Sequence, residues 1–274
     1  MNITQQANNS GRKLSRWGTT LIALLALSSP AAAQSFSFST GNPDGRIATA
    51  SRPESSGKEE IESADDFVLT QETFLRQATF TGLLPAGSGL SDIAAVRVEI
   101  YRVFPKDSQD PPDGRVPTRV NSPSDVAFDS RDSTTKDVKE KLTFDIEILA
   151  DNFTADNSVI NGINPLPNQH TGGDGPVSGE EVLFEVTFPN AFDLPADHYF
   201  FVPQVQLNDG DFFWLSAPKP IISGTPFTPD LQSWIRNADL DPDWLRIGTD
   251  IVGGTTFNAT FSLHGNVAHR STDR

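Results

Sequence analysis

Residues 142–149 read LTFDIEIL, and apolar and polar side chains alternate from Leu142 to Ile148. Successive side chains of a β-strand point to opposite faces, so this period of two predicts a strand with one face on a core and one in water. The same alternation recurs in residues 95–104 (AVRVEIYRVF) and 181–188 (EVLFEVTF). Such alternation is typical of antiparallel sheets, whereas strands of a parallel sheet are buried on both faces.

Weaker strand patterns surround these three segments, at residues 66–69, 74–83, 198–207, 211–215 and 256–264. The composition agrees, because 19 Phe suit pleated surfaces while 20 Gly and 20 Pro suit turns. We therefore predict an all-β fold: an antiparallel, jelly-roll-like β-sandwich with long loops and at most short helical turns.

Three connecting segments carry more specific expectations. Asn208-Asp209-Gly210 separates two strand patterns and predicts a tight hairpin turn, since Asn and Gly tolerate positive φ. Residues 230–237 predict a short helical turn with Asp230 as its N-cap. Residues 105–141 and 161–179 are long and polar, and we expect such loops to form the contact surface.

The N-terminus has the three parts of a signal peptide. Arg12, Lys13 and Arg16 are followed by the apolar run TTLIALLAL at residues 19–27 and by Ala31-Ala32-Ala33. That run is too short for a transmembrane helix, which needs roughly 20 apolar residues. We predict a signal peptide at residues 1–33, a single β-sandwich domain at 34–265 and a polar tail at 266–274. The mature chain would have no membrane span and would be secreted, to the periplasm or beyond the cell.

Charge and cysteine content exclude several functions. Without the three basic residues of the predicted signal peptide, 18 basic residues face 36 acidic ones, a net charge of −18. Such a surface repels phosphate backbones, so we expect no nucleic-acid partner, whereas cations and neutral sugars are compatible with it. The chain has no cysteine, which excludes disulfides, thiolate nucleophiles and cysteine-based zinc sites.

Acidic turns raise the possibility of a structural calcium ion. Asp239, Asp241 and Asp243 alternate in one segment and are our candidate metal ligands, because calcium prefers oxygen ligands. An EF-hand is rejected, since Trp244 stands where that loop requires Gly. The alternative is that these aspartates satisfy turn backbone, as Asp commonly does.

Aromatic residues near the C-terminus suggest a sugar-binding platform. Trp214, Trp234 and Trp244 would offer flat faces to sugar rings, and Asn237 would bind hydroxyl groups. The alternative is that these large rings fill the core. We find no metalloprotease, P-loop or nucleophile-elbow motif.

Two segments carry a resemblance. Residues 193–206 (DLPADHYFFVPQVQ) followed by Phe213-Trp214-Leu215, and residues 64–69 (ADDFVL) followed by Thr79-Phe80-Thr81-Gly82, resemble secreted bacterial β-sandwich domains of unassigned function. The resemblance implies a jelly-roll-like sandwich in a bacterial envelope or extracellular setting, and it transfers no catalytic residue.

The function predicted from the sequence is that of a secreted, non-catalytic module that binds glycans or cell-surface partners. One alternative is a secreted carbohydrate-active enzyme using two carboxylates, which requires two acids about 5–10 Å apart in a cleft. Another is an envelope protein stabilised by calcium.

Overall fold

The computed structural model describes residues 34–55, 57–163, 169–221 and 229–268. The predicted signal peptide at residues 1–33 and the end of the predicted tail, residues 269–274, lie outside these ranges. Within them the chain is nearly all β, with two antiparallel-dominated sheets packed face to face. The prediction of an all-β sandwich is confirmed.

The strands divide between a nine-stranded and a six-stranded sheet. The nine-stranded sheet contains β1 (Ser35–Ser39), β2 (Ile47–Ala50), β4 (Thr73–Pro85), β7 (Thr143–Ala155), β8 (Asn157–Val159), β9 (Val177–Leu194), β11 (Phe213–Ala217), β14 (Asn258–Ala259) and β15 (Phe261–Val267). The six-stranded sheet contains β3 (Ile61–Leu69), β5 (Ile93–Arg102), β6 (Asp129–Asp132), β10 (Asp197–Leu207), β12 (Trp234–Asn237) and β13 (Leu245–Arg246).

Strand pairing is antiparallel except between β2 and β8, which are parallel. In the nine-stranded sheet, β4 is the central strand: β9 and then β7 lie on one side of it, and β15 and β11 share the other side. The order in the six-stranded sheet is β13-β12-β3-β10-β5-β6. The β15 strand continues to Val267, two residues into the predicted tail at residues 266–274.

The main core lies between the sheets. Val96, Val98 and Ile100 of β5 are fully buried there, as the alternation in this segment predicts. Aromatic rings join the two layers: Phe201 of the six-stranded sheet stacks on Phe261 of the other sheet with ring centroids 5.1 Å apart. The offset stacking of such rings adds to the free energy of burying them.

A smaller apolar cluster covers the opposite side of the six-stranded sheet, which we call its outer face. Tyr101, Phe200, Trp234 and Trp244 are buried in this cluster. Residues 103–128 lie over it: Val103 and Ala127 pack against the cluster. The alternation in β5 therefore places Tyr101 on the predicted face. Residues 103–128 cover that face, however, and we had expected it to be exposed to water.

Helical structure is sparse in the described residues: a 3-10 turn at Leu90–Asp92 and a π-helical segment at Ile247–Val252. None of the helices in the described part of the chain has the length and apolar character needed to cross a membrane.

Two local predictions are wrong. Asn208–Gly210 does turn, with φ of +77° at Gly210, but it links β10 of one sheet to β11 of the other and so joins no hairpin. Residues 234–237 form β12 instead of a helical turn, because they pair in register with β3. In both cases a non-local pairing partner determines the outcome.

Candidate functional site

A polar pocket of about 350 Å³ opens on the outer face of the six-stranded sheet. It lies at the low end of the size range of small-molecule sites. Its walls come from the start of β3, from β5, from the covering segment and from the end of β12 with the turn that follows. The lining residues are Glu60, Glu62, Tyr101, Asp125, Val126, Ala127, Arg236, Asn237, Ala238 and Asp241.

Strand register assembles the floor of the pocket. Arg236 of β12 lies directly opposite Glu62 of β3 in the antiparallel ladder, so the two side chains point from the same face. The Tyr101 side chain of β5 points from that same face and reaches Glu62 across the intervening strand β10. Residues that are far apart in sequence therefore meet because the sheet holds them side by side.

Arg236 is buried, and contacts engage its whole guanidinium group. Its Nε donates to Glu62 Oε2, its Nη2 donates to the Tyr101 hydroxyl at 3.0 Å, and its Nη1 lies 2.7 Å from Asp241 Oδ1. The flat group also lies over the Trp244 ring, 4.4 Å from the centroid. These charge-assisted bonds and the cation–π contact fix the guanidinium, so the pocket floor is rigid.

Tyr101, Glu62 and Glu99 form a hydrogen-bonded group beneath this floor. The Tyr101 hydroxyl lies 2.7 Å from Glu62 Oε1 and 3.0 Å from Glu99 Oε2. Burial, reinforced by the charge of Glu62, raises the pKa of Glu99 to about 8, so this carboxyl is protonated at neutral pH. The Tyr101 hydroxyl has a single proton, and because protonated Glu99 is itself a donor, that proton is available for Glu62 Oε1.

Glu60 forms one side of the rim. Gln204 Nε2 donates to Glu60 Oε1 at 2.8 Å, and Arg97 Nη1 lies 3.6 Å from the same oxygen. Burial first and the charge of Glu62 second raise the pKa of Glu60. The rim is thus rich in carboxylate oxygens that need hydrogen-bond donors.

The rest of the rim is more exposed. The Asp241 side chain is 57% accessible to solvent and has one oxygen on Arg236, which leaves the other free to accept. Asn237 is half-buried; its Oδ1 accepts from the Leu240 N–H, and its Nδ2 donates to Glu59 Oε1 at 3.2 Å. The site therefore combines a rigid, satisfied floor with a rim of planar polar groups.

The three predicted calcium ligands do not converge. Asp239 is exposed, and its carbonyl oxygen accepts from Arg115. Asp241 pairs with Arg236, and the buried Asp243 lies 3.0 Å from Arg119 Nε. Burial and a hydrogen bond with Asp113 raise the pKa of Asp243 to about 6. No group of three or more acidic or histidine side chains in the described ranges is arranged to hold a metal ion.

The three predicted sugar-stacking tryptophans are buried, with at most 2% of each residue exposed. Trp214 lies between the sheets, and its Nε1 donates to the Thr260 carbonyl at 2.7 Å. Trp234 and Trp244 lie in the cluster on the outer face. The structure therefore does not bring these rings together as an open platform. Of the four predicted sugar-binding residues, Asn237 lines the polar pocket, and so does Asp241 of the predicted calcium ligands.

Asp65 and Asp66 of the buried ADDF motif at residues 64–67 form a second acidic pair, for which the sequence predicted no role. Asp65 accepts from the Ala259 N–H at 2.9 Å, and Asp66 accepts from the Leu231 N–H at 3.0 Å and lies 2.5 Å from His198 Nε2. Burial raises the pKa of both aspartates well above the usual range. Two of their partners are backbone N–H groups and two are the side chains of Ser233 and His198, so the aspartates hold neighbouring segments in place.

Sequence reasoning missed Glu60, Glu62, Glu99, Tyr101 and Arg236 as members of one site. The available signal was the polar face of residues 95–104, where a Tyr and a Glu share a side of the strand. That signal needs the fold to become specific, because its partners lie about 40 and 135 residues away. No family model, no curated protein and no solved structure matches this chain.

Proposed function

We propose that this chain is a secreted, non-catalytic β-sandwich module that binds hydroxyl groups of a glycan in the pocket between Glu60, Asn237 and Asp241. One observation carries the proposal: the pocket has a rigid floor and a rim of planar carboxylate and carboxamide groups whose oxygens can accept further hydrogen bonds. Preorganised polar groups of this kind orient a ligand without a large entropic cost of ordering the site.

The charges favour a ligand that supplies donors. Arg236, the cation of the pocket floor, is engaged by Glu62, Tyr101 and Asp241, so it has little capacity left for an anion. The whole chain carries a formal net charge of −15, so the protein repels anions as well. Neutral hydroxyl groups, which donate to carboxylates, fit both conditions.

The same geometry favours binding over glycoside hydrolysis. Hydrolases place two carboxyl groups about 5–9.5 Å apart, with the sugar or a water molecule between them. Here Glu62 and Glu99 both contact the Tyr101 hydroxyl and also hydrogen-bond with each other, so no sugar or water molecule fits between them. The second oxygen of Glu62 is occupied by Arg236, so it is not free to act as a nucleophile.

Isothermal titration of the mature protein against a panel of neutral oligosaccharides tests the proposal. We expect Asp241→Ala to lower the affinity of the best ligand about three- to tenfold, the effect of losing one hydrogen bond. Asp145→Ala is the matched control, because it removes the same exposed charge from β7 on the other sheet. A panel in which nothing binds, or equal losses in both variants, would contradict the proposal.

A further inference from the structure

A second pocket, of about 240 Å³, opens beside the first on the outer face of the six-stranded sheet. Trp234 lines it, and Arg236 of the first pocket is two residues further along the same face of β12. Residues two apart on a strand are about 6–7 Å apart, so the two pockets are neighbours. Residues 118–121 of the covering segment close this second pocket on one side.

Trp234 differs from the other two buried tryptophans in one respect. The Trp214 indole N–H donates to the Thr260 carbonyl at 2.7 Å, and that of Trp244 donates to the Ser124 carbonyl at 3.2 Å. The indole N–H of Trp234 is buried and has no hydrogen-bond partner. Buried tryptophan N–H groups normally find an acceptor, so an unpaired one in a residue that lines a pocket calls for an explanation.

The chemistry around Trp234 is the reverse of that in the first pocket. Its lining contains no acid, although the protein is strongly acidic. The Gln232 side-chain oxygen accepts from Thr249, which leaves the Gln232 amide N–H groups to donate elsewhere. Arg246 is held by both oxygens of Asp250, which offset its charge. The pocket thus offers donors without a net positive charge.

Apolar groups complete the lining. The Val120 side chain is 70% exposed at the rim, and Leu231 packs beside the Trp234 ring. A ligand that matches this surface carries an uncharged acceptor next to a small apolar group. A carboxylate fits less well, because the acidic protein surface repels it and the charge of Arg246 is already offset.

From these observations we infer that the second pocket receives the acetamido group of an N-acetylated amino sugar. Its carbonyl oxygen accepts hydrogen bonds from the Trp234 indole and the Gln232 amide, and its methyl group packs against Val120 and Leu231. This inference rests on the proposed glycan-binding function, in which the first pocket holds hydroxyl groups of the same ligand.

Titration of the mature protein with two neutral tetrasaccharides tests this inference. The N-acetylglucosamine tetramer and the glucose tetramer of the same linkage differ only in carrying an acetamido group or a hydroxyl group. We expect the acetylated tetramer to bind at least about tenfold more tightly, since it makes two hydrogen bonds and buries a methyl group. A galacturonate tetramer serves as the anionic probe.

Variants locate the effect. Trp234→Phe removes the indole N–H, and Gln232→Glu removes the amide donor while keeping the oxygen that Thr249 contacts. Each variant should lower the affinity for the acetylated tetramer about three- to tenfold and leave the affinity for the glucose tetramer unchanged. Trp214→Phe is the matched control, because it makes the same substitution in the core between the sheets.

The outcomes separate the two proposals. If both neutral tetramers bind equally and Trp234→Phe has no effect, the acetamido pocket is refuted while glycan binding stands. Preferred binding of the galacturonate tetramer would also refute the acetamido pocket, because the second pocket would then select a charged acceptor. If no tetramer binds, the proposed function fails together with the inference.

Discussion

Replacing each buried tryptophan by phenylalanine gives the sharpest test of the structure around the second pocket. The three residues are at most 2% exposed, so the loss of ring volume destabilises the three variants to a similar extent. What differs is the indole N–H. In Trp214 it donates to the Thr260 carbonyl, in Trp244 it donates to the Ser124 carbonyl, and in Trp234 it has no partner.

The magnitude follows from these contacts. Trp214→Phe and Trp244→Phe each leave a buried carbonyl group without its donor, which costs about 1–3 kcal/mol beyond the loss of volume. Trp234→Phe instead removes a buried donor that was already unpaired, and so relieves a penalty of about 1–3 kcal/mol. We therefore expect Trp234→Phe to be more stable than either other variant by about 2–6 kcal/mol.

Urea unfolding of the three purified variants and the unchanged protein, followed by far-ultraviolet circular dichroism, measures these differences. The slope of the free energy with urea should stay constant across the series, which shows that the variants unfold from comparable compact states. If Trp234→Phe is as unstable as the other two, its indole N–H is paired in solution, and the reasoning about the second pocket is wrong.

The structure supports two further predictions, and the sequence supports a third. The pKa of Glu99 is about 8 in the folded protein against an ordinary value of 4.5, so folding takes up a proton between these two pH values. The free energy of unfolding therefore falls as pH rises through this window. Relative to the unchanged protein, Glu99→Gln should gain about 1–3 kcal/mol in free energy of unfolding as pH rises from about 5 to about 9, measured by urea unfolding. Gly82→Ala should lower the free energy of unfolding by about 1–3 kcal/mol in the same assay, because a Cβ at this position would lie 2.2 Å from the Phe212 ring. Expression in a bacterial host with a general secretory pathway should yield a protein that begins at Gln34, checked by intact mass, and an unprocessed N-terminus would refute the predicted signal peptide.

The sequence predicts the layers of this fold because alternation is a local property. Val96, Val98 and Ile100 face the core as their spacing requires, and the apolar side of residues 181–188 does the same. The turn at Asn208–Gly210 shows the limit of local reasoning. Its residues favour a tight turn whether the next strand returns to the same sheet or crosses to the other, and β11 crosses.

The polar site was less accessible to sequence reasoning, for a related reason. Glu62, Glu99, Tyr101 and Arg236 are unremarkable polar residues on strands, and only the order β12-β3-β10-β5 brings them together. Once residues 103–128 cover that face, the same groups must find partners or remain charged in a poorly solvated place. The raised pKa of Glu99 follows from its burial, and the guanidinium of the buried Arg236 has found its partners in Glu62 and Tyr101.

The cover also makes Trp234 informative. Phenylalanine at this position would retain much of the ring packing and avoid burying a donor without an acceptor, so stability alone gives little reason for a tryptophan here. A tryptophan there becomes favourable when an acceptor enters the neighbouring pocket, because the unpaired N–H then forms a hydrogen bond in a poorly solvated place. Stability and binding would therefore respond in opposite directions to Trp234→Phe: the variant would resist urea better than the other two tryptophan variants and hold an acetylated sugar less well. A purely structural tryptophan would not produce that combination, so measuring both properties on one variant distinguishes the two roles.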